Sequence, residues 1–103
     1  MMTMRYAFAA LALLAAPALG GMSAVESADL TLAQPAAQTA YIIDGAAWSC
    51  SGTSCHAGFV DDMPAFRSCK RVVSVTGAVT AFSWRGKALS SDEIAVCNTR
   101  AKS

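Results

Sequence analysis

Beyond residue 40, the pattern of hydrophobic and polar positions predicts two strands, a helix, a third strand and a second helix. Residues 46–50 and 55–59 flank a four-residue connection that contains Gly52, which is typical of a β-hairpin. A further strand is predicted over residues 79–84, because β-branched and aromatic side chains dominate there. The order predicts an α+β fold, β-β-α-β-α, with a small antiparallel three-stranded sheet and two short helices.

The first helix is indicated by Phe66, Cys69 and Val73, which recur at helical spacing. The aspartates at 61 and 62 precede it and are predicted to cap its N-terminus, and Gly77 is predicted to end it. The second helix is predicted to begin at Ser91, since the preceding serine and the glutamate at 93 have the spacing of a capping box.

The first 40 residues have a different composition. Arg5 precedes an apolar run from Tyr6 to Leu19, and a small residue at Gly20 completes the pattern of a cleavable signal peptide, so residues 1–20 are predicted to be removed. A retained membrane anchor is the alternative, but the run ends before the ~20 apolar residues that span a bilayer. The mature protein is therefore expected to be periplasmic or secreted, with no stable membrane anchor.

Residues 21–40 contain no aromatic side chain and are rich in Ala, Ser, Thr and Gln. Such a segment buries little apolar surface to offset the entropy of ordering, so it is predicted to be a flexible linker, with a short helical lead-in at 36–40 as the alternative. Residues 41–103 hold all four cysteines and both tryptophans, and are predicted to form one small domain. A core of this size commonly needs covalent support.

The four cysteines, Cys50, Cys55, Cys69 and Cys97, are predicted to form two disulfides, given the oxidising compartment. Cys50 and Cys55 flank the hairpin turn, whereas Cys69 and Cys97 lie on the apolar faces of the two helices. These positions favour pairing within each set, but four cysteines allow three connectivities, and a one-residue shift of the hairpin would favour a crossed one.

The same thiols with His56 offer enough ligands for zinc, but Cys69 and Cys97 are too far apart in sequence for a compact zinc motif. No pair of cysteines has the two-residue spacing of a thiol redox centre. No metal ion or other cofactor is therefore predicted.

Candidate catalytic residues are few. His56 is the single histidine, and a nucleophile-base pair would need it beside Ser51 or Ser54 with a carboxylate such as Asp61 or Asp62. Adjacent aspartates project in different directions, which favours a capping role over an acid-base pair. No catalytic residue is predicted, and the protein is not expected to be an enzyme.

Charge and aromatic content add little to this interpretation. The seven Lys and Arg beyond residue 20 are matched by seven Asp and Glu, which argues against a nucleic-acid partner. Arg67, Lys70 and Arg71 form a local basic cluster that we interpret as a solvated helix face. Trp48 is predicted to lie in the core, and Trp84 to be the more exposed of the two tryptophans.

The arrangement Trp48-x-Cys50-x-Gly52-x-x-Cys55, followed by Arg67-x-Cys69 and Cys97-Asn98, resembles a group of small exported proteobacterial proteins with four cysteines and no characterised activity. The resemblance spans roughly residues 46–100 and implies an export route and a disulfide scaffold, but no catalytic residue. The sequence thus predicts a non-enzymatic interaction or structural module, whose partner is a protein or a component of the cell envelope. The alternative is a small secreted hydrolase or inhibitor-like protein that uses the surface around His56.

Overall fold

The computed structural model describes residues 26–102, so the predicted signal peptide, residues 1–20, lies outside the described residues. Six antiparallel strands form one sheet in the order β2-β3-β4-β1-β5-β6. The strands are β1 (Ala28–Leu32), β2 (Ala40–Ile43), β3 (Ala46–Ser51), β4 (Ser54–Ala57), β5 (Val79–Trp84) and β6 (Lys87–Ala88). The helices are α1 (Ala65–Thr76) and α2 (Ser91–Cys97), and a 3-10 turn, Asn98–Arg100, follows α2.

The prediction of a three-stranded sheet in the order β-β-α-β-α is wrong, because β1, β2 and β6 were not foreseen. The largest difference is β1, which lies inside the segment predicted to be a flexible linker, residues 21–40, and forms a central strand between β4 and β5. Ala28, Leu30 and Leu32 point into the core while Asp29 and Thr31 are exposed. This five-residue alternation is lost when composition is averaged over twenty residues, which is why the strand was missed.

Strand β2 forms a hairpin with β3 through the two-residue turn Asp44–Gly45. Both turn residues have positive φ angles, 50° and 86°, as a type I′ turn requires. An Asp-Gly pair between hydrophobic runs is a strong hairpin pattern, so this element was accessible from the sequence. Within β2, Tyr41 and Ile43 are the buried side chains.

The predicted hairpin of β3 and β4 is present, but its turn has two residues, Gly52 and Thr53, rather than four. Cys50 and Cys55 are directly opposite each other in the register, and both face the core. The pairing extends to Ser51 and Ser54, which the sequence placed in the loop.

Helix α1 has Pro64 at its N-cap position and no side-chain capping bond, so the predicted capping by Asp61 and Asp62 is wrong. The loop that carries them bonds to β5 instead. The indole Nε1 of Trp84 donates to the carbonyl of Asp61 at 3.0 Å, and the Nη1 of Arg85 donates to the carbonyl of Val60 at 2.8 Å. Trp84 is therefore buried under this loop, and at 7% exposed it is still the more exposed of the two tryptophans, since Trp48 is 1% exposed.

The ends of the helices otherwise follow the sequence. Gly77 ends α1 with a φ of 110°, a value that L side chains rarely adopt. The capping box of α2 is confirmed, since the Ser90 hydroxyl accepts from the Glu93 amide and the Glu93 carboxylate accepts from the Ser90 amide. At the other end of α2, the side-chain amide of Asn98 pairs with both backbone groups of Val79, at 2.8 and 2.9 Å. Asn98 thereby attaches the C-terminal turn to the first residue of β5.

The core lies between one face of the sheet and the two helices. Trp48 belongs to this core and is 1% exposed, which confirms its predicted place in the core. Strands β1, β3, β4 and β5 contribute alternate residues to it, and α1 contributes its apolar stripe. The opposite face of the sheet carries the exposed alternate residues, and this face presents the candidate functional groups described below.

Candidate interaction surface

The two disulfides join Cys50 to Cys55 and Cys69 to Cys97, which is the pairing that the sequence favours. The first links opposite residues of the β3–β4 hairpin, with Cα atoms 4.1 Å apart. The second links α1 to the last residue of α2, with Cα atoms 6.0 Å apart. Both pairs are buried, and two disulfides indicate an oxidising environment for this chain.

Four polar residues form one row across the exposed face of the sheet. In the register, Ser49 is opposite His56, His56 is opposite Asp29, and Asp29 is opposite Ser83. Directly opposed residues of antiparallel strands have Cβ atoms only ~5 Å apart. The register therefore places a hydroxyl, an imidazole and a carboxylate next to one another on three neighbouring strands.

Within this row, Nδ1 of His56 lies 2.7 Å from Oδ1 of Asp29. Both side chains are more than half exposed, 57% and 64%. No hydroxyl of the described residues lies within hydrogen-bond distance of the His56 ring. The two carboxylates predicted to accompany His56 lie elsewhere. Oδ1 of Asp62 is 3.8 Å from Nε of Arg85. Asp61 belongs to the loop that covers Trp84.

A groove of about 360 Å³ adjoins the row on its β5 side. Asp29 and Ser83 lie at its inner margin, and Leu89 and Ile94 border it on the side of β6 and α2. Neither Ser49 nor His56 lines it. The histidine consequently stands on an open surface rather than in a cleft.

No group of three or more His, Cys, Asp or Glu within residues 26–102 is placed to hold a metal ion. Over the same residues, none of the helices has the length and apolar content needed to cross a bilayer.

A second surface is the free edge of strand β2, whose outward backbone groups are identified by the pairing pattern. Ile43 and Ala46 flank the two-residue turn, and the Cys50 amide donates to the Thr39 carbonyl at 2.8 Å. Because bonding alternates along an antiparallel strand, the residues that bond to β3 are every second one, counted from Ile43 back to Thr39. The backbone groups of Ala40 and Ile42 therefore point away from the sheet.

Exposed hydrophobic side chains surround this edge. Ile42 is 73% exposed, although β-branched residues of a sheet normally pack against a neighbour. On the helix side of the strand, Val75 of α1 is 38% exposed and lines the same groove as Tyr41. Phe59, 61% exposed, lies beside the turn at the end of β2.

Strand β2 also lacks the features that usually protect a sheet edge. Residues 40–43 contain no charge and no proline, and their pairing with β3 is continuous, without a bulge. The other edge, β6, has only two residues, and one of them is the exposed Lys87. Sequence reasoning missed the β2 edge because it placed Ala40 in a linker, and because Tyr41, Ile42 and Ile43 are all apolar, so that no polar residue marks the exposed position.

Comparison with known proteins gives one match. The profile of a family of unknown function (DUF8200) matches residues 7–99, most of the chain. No curated protein and no solved structure matches the chain.

Proposed function

The chain belongs to the DUF8200 family of unknown function, and we propose that it acts as an exported, non-enzymatic interaction module that binds an extended segment of a partner protein along β2. The observation that carries this proposal is the unprotected edge of β2, with Ile42 exposed beside outward-pointing backbone groups. Strand addition at a sheet edge combines main-chain hydrogen bonds with contacts to alternate side chains. Strand β2 offers outward backbone groups, the exposed Ile42 and the groove lined by Tyr41 and Val75.

The energetics of such an edge require side-chain contacts as well as backbone bonds. Ala40 and Ile42 can exchange up to four hydrogen bonds with an added strand, and each contributes about 1 kcal/mol net. Burial of Ile42 would add about 1.5–3 kcal/mol, equivalent to roughly tenfold to hundredfold in affinity. Ile42 is therefore expected to determine much of the affinity, and the hydrogen bonds to determine the register.

The proposed setting is the periplasm or the exterior of the cell, which two observations support. The N-terminal pattern up to Gly20 is that of a cleavable signal peptide, and the two disulfides suit an oxidising compartment. Membership of a group of small exported four-cysteine proteins is part of the same proposal.

The test uses a photo-crosslinking amino acid at Ala40 in the exported, oxidised protein. We expect one partner to be captured, with the crosslink mapped to a single short segment. Ile42→Pro removes an outward N–H without breaking a bond to β3, and Ile42→Thr keeps the N–H but removes apolar surface. We expect both variants to reduce the crosslink at least tenfold.

Val96→Thr is the matched control, since Val96 is 52% exposed on α2, away from the edge. It should leave the crosslink unchanged. Equal crosslinking in the Ile42 and Val96 variants would contradict the proposed edge. A crosslink to the same chain would replace the partner protein with a second copy.

A secreted hydrolase is the second candidate function, and the row of Ser49, His56 and Asp29 is the observation in its favour. A hydrolase also needs donors that stabilise the oxyanion and a site that excludes water. His56 is more than half exposed and lines none of the grooves described above, so the row lacks an enclosed site. The pair with Asp29 is better explained as a cross-strand contact that stabilises the sheet.

We expect the oxidised protein to remain unlabelled by a fluorophosphonate probe, which reacts with activated serines. Ser49→Ala and Ser83→Ala would serve as the test and control variants. Labelling that disappears in Ser49→Ala and in His56→Ala, but persists in Ser83→Ala, would establish a nucleophile and overturn the non-enzymatic proposal.

A further inference from the structure

A basic groove lies on the helical side of the molecule, away from the exposed sheet face. It has a volume of about 370 Å³, within the range of pockets that bind small ligands. Its lining consists of Arg67, Lys70, Arg71 and Ser74 from α1, with Arg100 from the 3-10 turn. The first four lie on one side of the helix, because they are three or four residues apart.

The charge of this groove is not a consequence of a basic protein. Residues 26–102 contain seven Lys and Arg and seven Asp and Glu, so the described chain is neutral overall. Arg71 is bonded to the carboxylate of Asp44, with Nε 2.9 Å from Oδ2. No ion pair to a carboxylate of residues 26–102 is formed by Arg67, Lys70 or Arg100. Three positive charges thus share one groove without a counter-charge from the described chain.

The two walls of the groove are held in place by the fold. The disulfide from Cys69 to Cys97 joins α1 to the element that precedes Arg100. The Lys102 amide donates to the Val73 carbonyl at 2.9 Å and attaches the chain beyond Arg100 to α1. A cluster of like charges repels itself, so a rigid scaffold that keeps it together reduces the reorganisation needed to bind an anion.

Individual side chains are also oriented. Nζ of Lys70 lies 4.4 Å from the centre of the Phe66 ring, a cation-π distance. The guanidinium of Arg71 is held by Asp44, and this contact lowers the pKa of Asp44, which stays ionised. Arg71 therefore forms a fixed edge of the groove, while Arg67, Lys70 and Arg100 keep their donors free for a ligand.

We propose that this groove binds a compact ligand that carries at least two phosphate groups. Arginine guanidinium groups match the oxygens of phosphate in pairs, and lysine adds a compact charge. The three unpaired cations carry a charge of +3, which is more than one phosphate monoanion neutralises. This excess favours a ligand with several phosphate charges close together. The shared chemistry has two sources, a free oligophosphate and the phosphorylated headgroup of a lipid.

A polynucleotide fits the groove less well. Duplex binding requires a basic stripe that follows the phosphate backbone, whereas these cations converge on one short groove, and residues 26–102 are neutral overall. The groove is also separate from the proposed β2 interaction, because its lining contains no residue of β2. The two surfaces approach each other where Arg71 bonds to Asp44, in the turn that follows β2.

The test is a titration of the oxidised protein with inorganic tripolyphosphate, followed by amide chemical shifts and calorimetry. We expect saturable binding with one site, with the largest shifts at Arg67, Lys70 and Arg100. Arg67→Gln and Arg100→Gln should each weaken binding at least tenfold, and added salt should weaken it further. Lys87→Gln, a cation on β6, is the matched control and should bind as the unmodified protein does.

Two further arms distinguish the sources. Vesicles that contain a phosphatidylinositol bisphosphate, whose headgroup carries several phosphates, are compared with vesicles of phosphatidylcholine, and tripolyphosphate is added as a competitor. Binding to the acidic vesicles that tripolyphosphate displaces assigns the groove to a lipid headgroup, and absence of vesicle binding assigns it to a free oligophosphate.

Failure of tripolyphosphate to bind would overturn the proposal, whether or not the protein binds the vesicles. A loss of affinity in Lys87→Gln as large as in the Arg67 and Arg100 variants would also overturn it. Loss of this binding would leave the β2 proposal unaffected. Thermal unfolding of each variant verifies that the exposed substitutions leave the fold intact.

Discussion

Replacing Cys69 and Cys97 together with alanine is expected to lower the free energy of unfolding by about 3.5 kcal/mol, against about 2 kcal/mol for the pair Cys50 and Cys55. The difference follows from loop length, since the two bridges close loops of sequence separation 28 and 5. The longer bridge restricts the unfolded chain more, and it joins α1 to α2 covalently. For a domain of this size, 3.5 kcal/mol is a large share of the total stability.

Urea unfolding of the two double variants, compared with the oxidised parent, measures both values. Because both bridges are buried, each alanine pair also removes packing, and this contribution is similar in the two variants. Peptide mapping without reduction supplies the direct control, and should join the fragment around Cys69 to the fragment around Cys97. Equal destabilisation of the two variants would contradict the assignment of the longer bridge as the main constraint.

Leu30→Ala is expected to destabilise the protein by about 2–5 kcal/mol, the usual cost of truncating a buried leucine. Leu30 is 3% exposed in β1, opposite Cys55 on one side and Phe82 on the other. The substitution removes packing from the middle of the sheet and leaves a cavity that the surrounding strands fill only partly. If residues 21–40 were a flexible linker, the same change would have almost no effect.

Chemical unfolding of Leu30→Ala is compared with Thr31→Ala, whose side chain is exposed on the other face of the same strand. The threonine variant should remain within about 0.5 kcal/mol of the parent. An effect of Leu30→Ala no larger than that of Thr31→Ala would show that β1 is not part of the stable core.

The two central differences between prediction and structure are the strands β1 and β2. Residues 21–40 lack aromatic side chains and are rich in Ala, Ser, Thr and Gln, but a central strand requires only three buried positions, and Ala28, Leu30 and Leu32 supply them. The β2–β3 hairpin was predictable from its Asp44–Gly45 turn, which the sequence analysis did not use. Strand β6 has only two residues, and its pairing with β5 follows the Arg85–Gly86 turn and ends with a bond from the Leu89 amide to the Phe82 carbonyl.

The polar row on the sheet and the basic groove beside α1 both depend on residues that are distant in sequence. His56 and Asp29 are 27 positions apart, and they meet because β4 and β1 are neighbours in a register that local sequence does not specify. Arg100 joins the basic residues of α1 through the bridge between the helices, so the cluster at 67–71 resembles a solvated helix face until its partner is known. Only the tertiary structure distinguishes an ordinary charged face from a groove with two basic walls.

By itself, the sequence determined the elements whose causes are local. The α2 capping box, the glycine that ends α1 and the strand over residues 79–84 each follow from neighbouring residues and short-range geometry. The tertiary structure decided the strand order, the inclusion of β1 and the exposure of the β2 edge. It also placed His56 beside Asp29, and Arg100 beside the basic residues of α1. These features depend on contacts between distant segments, and burial in a shared core selects them from many locally equivalent arrangements.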